Sequence, residues 1–120
     1  MKLNNIFRLN PKNIQAHDGE GLIQFQRLFY KNDLPNEASI NFIDVAVLPP
    51  NTSIGLHKHK KTTEVYLIVE GEGKYFMNDK WIKVEKGDVL INHLGQHSLK
   101  NDSNSNLKIF VIETKTNNND

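Results

Sequence analysis

The sequence predicts an all-β fold, a sandwich or barrel, in a single domain. Its 120 residues match the working size of one domain, roughly 100 to 200 residues. Short strand signals recur at roughly 8 to 12 residue spacing, with turn-forming residues between them. No segment longer than about ten residues shows the 3.6-residue periodicity of an amphipathic helix. A helical or mixed α/β domain is therefore not expected.

The first twenty residues differ from the rest of the chain. Residues 1–20 are polar and rich in asparagine, and Pro11 interrupts them. We expect them to form an N-terminal arm or a strand exchanged with a second copy. Residues 21–114 are expected to form the β-barrel, and residues 115–120 a flexible polar tail.

The strand signals follow one another from residue 24 onward. Residues 24–29 alternate with the two-residue period of a strand, and residues 39–48 are rich in Ile, Phe and Val until Pro49 and Pro50 end the run. Asn78 and Asp79 have the form of a two-residue hairpin loop. The remaining strand signals are residues 63–69, 73–77, 80–84, 88–92, 96–100 and 107–113.

Charge and composition exclude several classes of protein and site. The chain has 15 basic and 14 acidic residues, a net charge of +1, and no block of like charges, so no nucleic-acid partner is expected. Neither a signal peptide nor an 18-residue apolar run is present, which indicates a cytoplasmic protein without membrane association. The cysteine count is zero, so any metal site must use nitrogen and oxygen ligands.

The sequence contains a cluster of histidines that are candidate metal ligands. Four of the five histidines fall within residues 57–97, and the first pair stands in the pattern Gly55-x-His57-x-His59-x4-Glu64-x6-Gly71. Side chains at i and i+2 of a strand share a face, so His57 and His59 would present two imidazoles side by side. If the strand beginning near residue 63 returns antiparallel, Glu64 lies opposite them. Such a set suits one divalent transition metal: Fe, Mn, Ni or Zn.

A second block extends from Gly87 to Asn101. Its His97 begins a predicted strand and is a candidate for a fourth metal ligand. Such a set would leave one or two positions on the metal open for water or substrate.

The two blocks together resemble the paired motifs of the cupin superfamily, G-x5-HxH-x3-4-E-x6-G and G-x5-P-x-G-x2-H-x3-N. The resemblance spans about residues 43–112 and implies a double-stranded β-helix, or jelly-roll barrel. It also implies that the barrel holds a metal. The ligands implied are His57, His59, Glu64 and His97.

Three positions depart from the family pattern. One residue separates Gly55 from His57, where the family has five, and we expect Gly55 to have a different role. His93 replaces the usual proline, and one residue rather than two separates Gly95 from His97. His93 is therefore a rival ligand, a substrate contact, a proton shuttle or a polar rim residue.

The resemblance leaves two classes of function open. One is a metal-dependent enzyme acting on a small polar metabolite, by oxygen-dependent oxidation or cleavage or by isomerase or lyase chemistry, with the metal as Lewis acid or O2-activating centre. The other is a non-catalytic small-molecule binder or sensor. For the enzyme, the catalytic candidates outside the ligand set are His93 and Tyr66, of which Tyr66 is either a core or a pocket residue.

Three further expectations concern single residues and assembly. Arg27 is either a paired structural arginine or an inward clamp for a substrate carboxylate. His17, alone in the polar arm, is expected on the surface. On the strand at residues 63–69, Glu64, Tyr66 and Ile68 share one face, which is expected to point inward, and Val65, Leu67 and Val69 share the other. Both faces are apolar, which predicts a homodimer.

Overall fold

The computed structural model describes residues 2–116, which form an all-β domain as expected. A single 3-10 turn at Lys31–Asp33 is the helical element within that range. The strands are β1 (Lys12–Ile14), β2 (Ile23–Phe29), β3 (Ile40–Leu48), β4 (Ser53–Lys58), β5 (Thr62–Glu70), β6 (Glu72–Met77), β7 (Lys80–Glu85), β8 (Val89–His93), β9 (Gln96–Lys100) and β10 (Leu107–Lys115).

The strands form two antiparallel sheets. The larger sheet has the order β1-β2-β3-β10-β5-β8, and the smaller has the order β4-β9-β6-β7. The apolar core includes residues from both sheets, among them Ile68 and Ile109 from the larger and Tyr75 and Leu99 from the smaller. Side chains that project inward from either sheet therefore meet in one interior.

The hairpin between β6 and β7 has the turn that the sequence predicts. Asn78 and Asp79 have φ angles of 51° and 62°, and Met77 pairs with Lys80 on either side of them. Two successive positive φ angles are typical of the type I′ turn, whose twist matches that of antiparallel strands. Asparagine and aspartate tolerate this conformation better than other side chains.

The predicted alternation of the β5 side chains between the two faces of the sheet is confirmed. Glu64, Tyr66 and Ile68 are buried in the interior, while Val65 and Leu67 on the opposite face are half-buried. On the neighbouring edge strand, β8, Val89 and Ile91 are 60% and 58% exposed. The larger sheet therefore presents apolar side chains on its outer face as well as its inner one.

Both ends of the described chain lie against the barrel. In the arm, β1 pairs with β2, and Asn4 donates a hydrogen bond to the carbonyl of Leu28. At the other end β10 extends to Lys115, and the amide of Thr116 donates to the carbonyl of Lys61. The rest of the predicted tail, residues 117–120, lies outside the described residues.

Across residues 2–116, none of the helical structure is long and apolar enough to span a membrane.

Candidate metal centre

Four side chains converge in the interior of the barrel. His57 lies on β4, His59 directly follows that strand, Glu64 lies on β5 and His97 lies on β9. One ligand atom from each side chain lies within 4.8 Å of those of the other three. His57 and His97 are also register partners on neighbouring strands. The structure thus brings together all four side chains of the predicted ligand set.

The condition considered for Glu64, that β5 returns antiparallel beside β4, is not met. Instead β4 pairs with β9, and β5 pairs with β10 and β8 in the other sheet. Glu64 therefore faces His57 and His59 across the barrel interior instead of along a shared ladder. The chain changes sheets between Lys58 and Thr62, and side-chain periodicity carries no signal of such a change.

The donor atoms are as close together as ligands of a single ion. Nε2 of His97 lies 2.9 Å from Nε2 of His57 and 3.1 Å from Nε2 of His59. Oε1 of Glu64 lies 2.9 Å from Nε2 of His59 and 3.1 Å from Nε2 of His97. Two ligands at right angles on bonds of about 2.1 Å lie about 3.0 Å apart, against about 3.4 Å at the tetrahedral angle. The spacing fits right-angled neighbours.

A buried acceptor without a partner also indicates a bound cation. Oε1 of Glu64 is buried and lacks a hydrogen bond, although two imidazole nitrogens lie close to it. Buried carboxylate oxygens without a partner are costly, and coordination of an ion is a standard reason for one. The residues present therefore fit a divalent metal.

The outer nitrogen of each imidazole is held by another group. Nδ1 of His57 donates to the carbonyl of Gly55 at 2.7 Å, which leaves its Nε2 with a free lone pair. Nδ1 of His97 lies 2.7 Å from the Tyr75 hydroxyl, and Nδ1 of His59 lies 2.8 Å from Oγ1 of Thr62. Such outer partners fix the orientation of metal-binding histidines.

The protonation states also suit a cation. Burial lowers the pKa of His57 to about 4, so this ring is neutral at physiological pH. Burial opposes ionisation of Glu64, but the neighbouring His59 and His97 outweigh it and hold the pKa of the carboxyl at about 2. The nearby Glu64 in turn raises the pKa of His59. The site therefore holds an ionised carboxylate beside His57, whose lone pair is available.

The two catalytic candidates lie in different surroundings. Tyr66 is 4% exposed, its ring centroid lies 5.2 Å from that of His97, and burial raises the pKa of its hydroxyl well above the usual range. It is both a core residue and a wall of the cavity beside the cluster. His93 is exposed, and its Nδ1 lies 2.7 Å from Oγ1 of Thr63. His93 borders a different surface depression and does not line the cavity at the cluster.

A cavity of about 290 Å³ lies beside the cluster, and His57 and Glu64 are the two of the four side chains that line it. Arg27 lines it and is paired through Nε and Nη2 with Asp44, at 2.9 and 3.2 Å. Its guanidinium also lies 3.9 Å from the centroid of the Phe42 ring. Arg27 is therefore a paired arginine, the first of the two alternatives, and it lies in the cavity wall.

Comparison with known proteins identifies the family. A family model described as "Cupin domain" matches residues 44–113, more than half of the chain. The chain belongs to the cupin family. This cupin is 35% identical over 106 residues to a protein of Thermotoga maritima named "Oxalate-binding protein", with 87% of this chain and 86% of that protein covered.

Solved structures support the predicted double-stranded β-helix. A Thermotoga maritima protein described as a predicted oxalate decarboxylase has a TM-score of 0.87 and 29% identity, with 94% of this chain and 98% of that chain covered. A Thermus thermophilus protein has a TM-score of 0.75 at 18% identity, covering 98% of this cupin and 100% of that chain. The second likeness concerns the fold alone.

Two residues around the site were missed by sequence reasoning. His17 is exposed as expected, but its ring stacks on His57 with centroids 3.6 Å apart and planes 9° from parallel. Tyr75 is 1% exposed and contacts His97 through its hydroxyl. Parity on β6 could have placed Tyr75 in the core, whereas for His17 the one available signal was that it is the remaining histidine of a histidine-poor chain.

Proposed function

We propose that this cupin is a metal-dependent enzyme that acts on a small carboxylate metabolite of the oxalate class. The observation that carries the proposal is the set of four convergent donors, with its unpartnered Oε1 of Glu64, beside a cavity. The names of the two similar Thermotoga maritima proteins support the choice of substrate class.

The proposed cofactor is one divalent ion of Fe, Mn, Zn or Ni, held by His57, His59, Glu64 and His97. Four of the six donor pairs are separated by 2.9 to 3.1 Å, which is close enough for one ion to contact all four side chains. When bound, the ion supplies a Lewis acid that polarises a carboxylate or carbonyl oxygen. The substrate must then be small enough to share the cavity with it.

The chain itself supplies the surroundings of the substrate. The apolar rings of Phe25 and Phe42 form part of the cavity wall. Arg27 brings guanidinium hydrogen-bond donors to the same wall, of which Asp44 takes two and balances the charge, so the remaining N–H groups are the ones available to a substrate oxygen. Tyr66 keeps its proton because burial raises its pKa, so its hydroxyl is available as a hydrogen-bond donor.

A second candidate function is non-catalytic binding of the same anion. One observation favours it: of the two predicted proton-transfer groups, His93 lies outside the cavity and Tyr66 is too weak an acid to exchange its proton readily. Turnover therefore decides between the two.

The test compares Glu64→Gln with Glu70→Gln, an isosteric change at an exposed carboxylate of the same strand. We expect the wild type and Glu70→Gln to bind about one Mn²⁺ per chain and then oxalate, and Glu64→Gln to lose metal-dependent oxalate binding. Product mass and oxygen uptake are followed with a panel of small keto acids, hydroxy acids and dicarboxylates. Oxalate binding without turnover would favour the second candidate, and equal metal content in both variants would contradict the proposed site.

A further inference from the structure

The mouth segment, residues 15–19, links the N-terminal arm to the metal site. It follows β1 and supplies Gln15, Ala16 and His17 to the wall of the cavity. None of these residues belongs to the ligand set or to the cupin motifs.

Backbone hydrogen bonds attach the mouth segment to β4, the strand that carries His57. The amide of Gly55 donates to the carbonyl of Ala16 at 3.0 Å, and directly after the segment the amide of Ser53 donates to the carbonyl of Glu20 at 3.0 Å. Within the segment, the amide of Gly19 donates to the same Ala16 carbonyl at 2.9 Å. The attachment is therefore made by the main chain and is well defined.

Two glycines make this approach possible. A Cβ on Gly55 would collide with the carbonyl oxygen of His17, and a Cβ on Gly19 would collide with the carbonyl oxygen of Ser53. Only glycine permits such close contact between two backbones. This contact explains the unusual position of Gly55, which a single residue separates from His57.

The mouth segment also contains two consecutive residues in the left-handed backbone conformation, which His and Asp adopt more often than most side chains. His17 and Asp18 have φ angles of 52° and 57°, in the left-handed region that side chains with a Cβ rarely adopt. Non-glycine residues are held there when the surrounding structure imposes it, often at functional sites. Here it directs the His17 ring onto the face of His57.

His57 is consequently fixed on two sides. Its face is covered by the parallel ring of His17, and its Nδ1 edge is bonded to the carbonyl of Gly55. The stacking contact depends on the docking of the mouth segment at Gly55, whereas the hydrogen bond is local to β4. A ring held in this way cannot turn about its χ2 angle, so Nε2 keeps its direction toward the other donors.

We propose that His17 is a positioning residue of the metal site, which holds the His57 imidazole in the orientation that directs Nε2 at the ion. The inference rests on the proposed function, because the ring that it orients is a proposed ligand. Its role is mechanical, and a flat ring of another kind at position 17 can perform it.

The experiment compares His17→Ala and His17→Phe with Asn13→Ala, an exposed position of the same arm. Long-range ¹H–¹⁵N spectra of the metal-free protein measure the fraction of His57 that carries its proton on Nδ1. Titration with Co²⁺ alone measures affinity and the visible absorption of the bound ion. Thermal unfolding monitors whether each variant folds.

We expect His17→Ala to lower the Nδ1–H fraction of His57, weaken Co²⁺ binding at least about tenfold and shift its absorption bands. His17→Phe should restore all three, and Asn13→Ala should match the wild type. An unchanged tautomer fraction in a folded His17→Ala protein would overturn the inference, whether or not metal binds. If the wild type binds no Co²⁺ but His17→Ala still lowers the Nδ1–H fraction of His57, the proposed function would be overturned and the positioning of His57 by His17 would remain supported.

Discussion

Removal of the Tyr75 hydroxyl is the perturbation whose effect follows most directly from the structure. That hydroxyl lies 2.7 Å from Nδ1 of His97, and the two residues are 1% and 0% exposed. Water cannot replace the lost partner at such burial. In Tyr75→Phe the aromatic ring remains, including its edge contact with Tyr66 at 5.8 Å between centroids, so the core keeps its volume.

The magnitude follows from the polar atom that remains. A buried donor or acceptor that loses its partner costs about 1 to 3 kcal/mol, whichever of the two atoms held the proton. We therefore expect the free energy of unfolding of the metal-free protein to fall by that amount in urea. Because Nδ1 also orients the ring, Mn²⁺ affinity should fall about 10- to 100-fold.

Tyr30→Phe is the matched control for this change. Tyr30 is 56% exposed, so loss of its hydroxyl should leave both the free energy of unfolding and the Mn²⁺ affinity near the wild-type values. Unchanged stability and unchanged affinity in Tyr75→Phe would refute the reasoning that this hydroxyl supports His97.

Three further predictions concern pH, ion pairing and assembly. Imidazoles must be neutral to bind a metal, and Glu64 raises the pKa of His59, so His59 becomes protonated as the pH falls. Stabilisation by metal should therefore be full near pH 7.5 and be lost as the pH falls toward 5. Melting temperatures with and without chelator should then converge, and a constant difference would contradict the ligand set. Arg27→Ala leaves Asp44 buried without its partner and should lower the free energy of unfolding in urea by about 1 to 3 kcal/mol. Adding Asp44→Asn to Arg27→Ala should restore most of that free energy. The apolar outer face of the larger sheet predicts a homodimer that deletion of residues 2–20 weakens, and a monomeric full-length protein in light scattering would exclude it.

The fold was predictable because its signals are local. Alternation along the sequence placed Glu64, Tyr66 and Ile68 on the inward face of β5, and Asn78 and Asp79 marked the hairpin. These features depend on side-chain parity and turn chemistry, which neighbouring residues determine. The same local rules brought His57 to the inner face.

The remaining features of the site depend on which segments become neighbours. The alternation of side chains along β5 predicts that Glu64 points inward. It does not predict that β4 pairs with β9 instead of β5. The stacking of His17 depends on a backbone contact between Gly19 and Gly55, 36 positions apart in the sequence. Pairings at such separations have no local signature, so the groups that support the four donors could not be predicted.

The division of the donors between the two sheets has a kinetic consequence. His57 and His97 belong to the smaller sheet and Glu64 to the larger, so the donor set is complete only after the sheets have docked. A metal ion would therefore bind only after the two sheets have docked, so it cannot accelerate the folding steps that come before docking. It slows unfolding instead, because separation of the sheets must break coordination first. Bound metal should therefore lower the unfolding rate much more than it raises the folding rate.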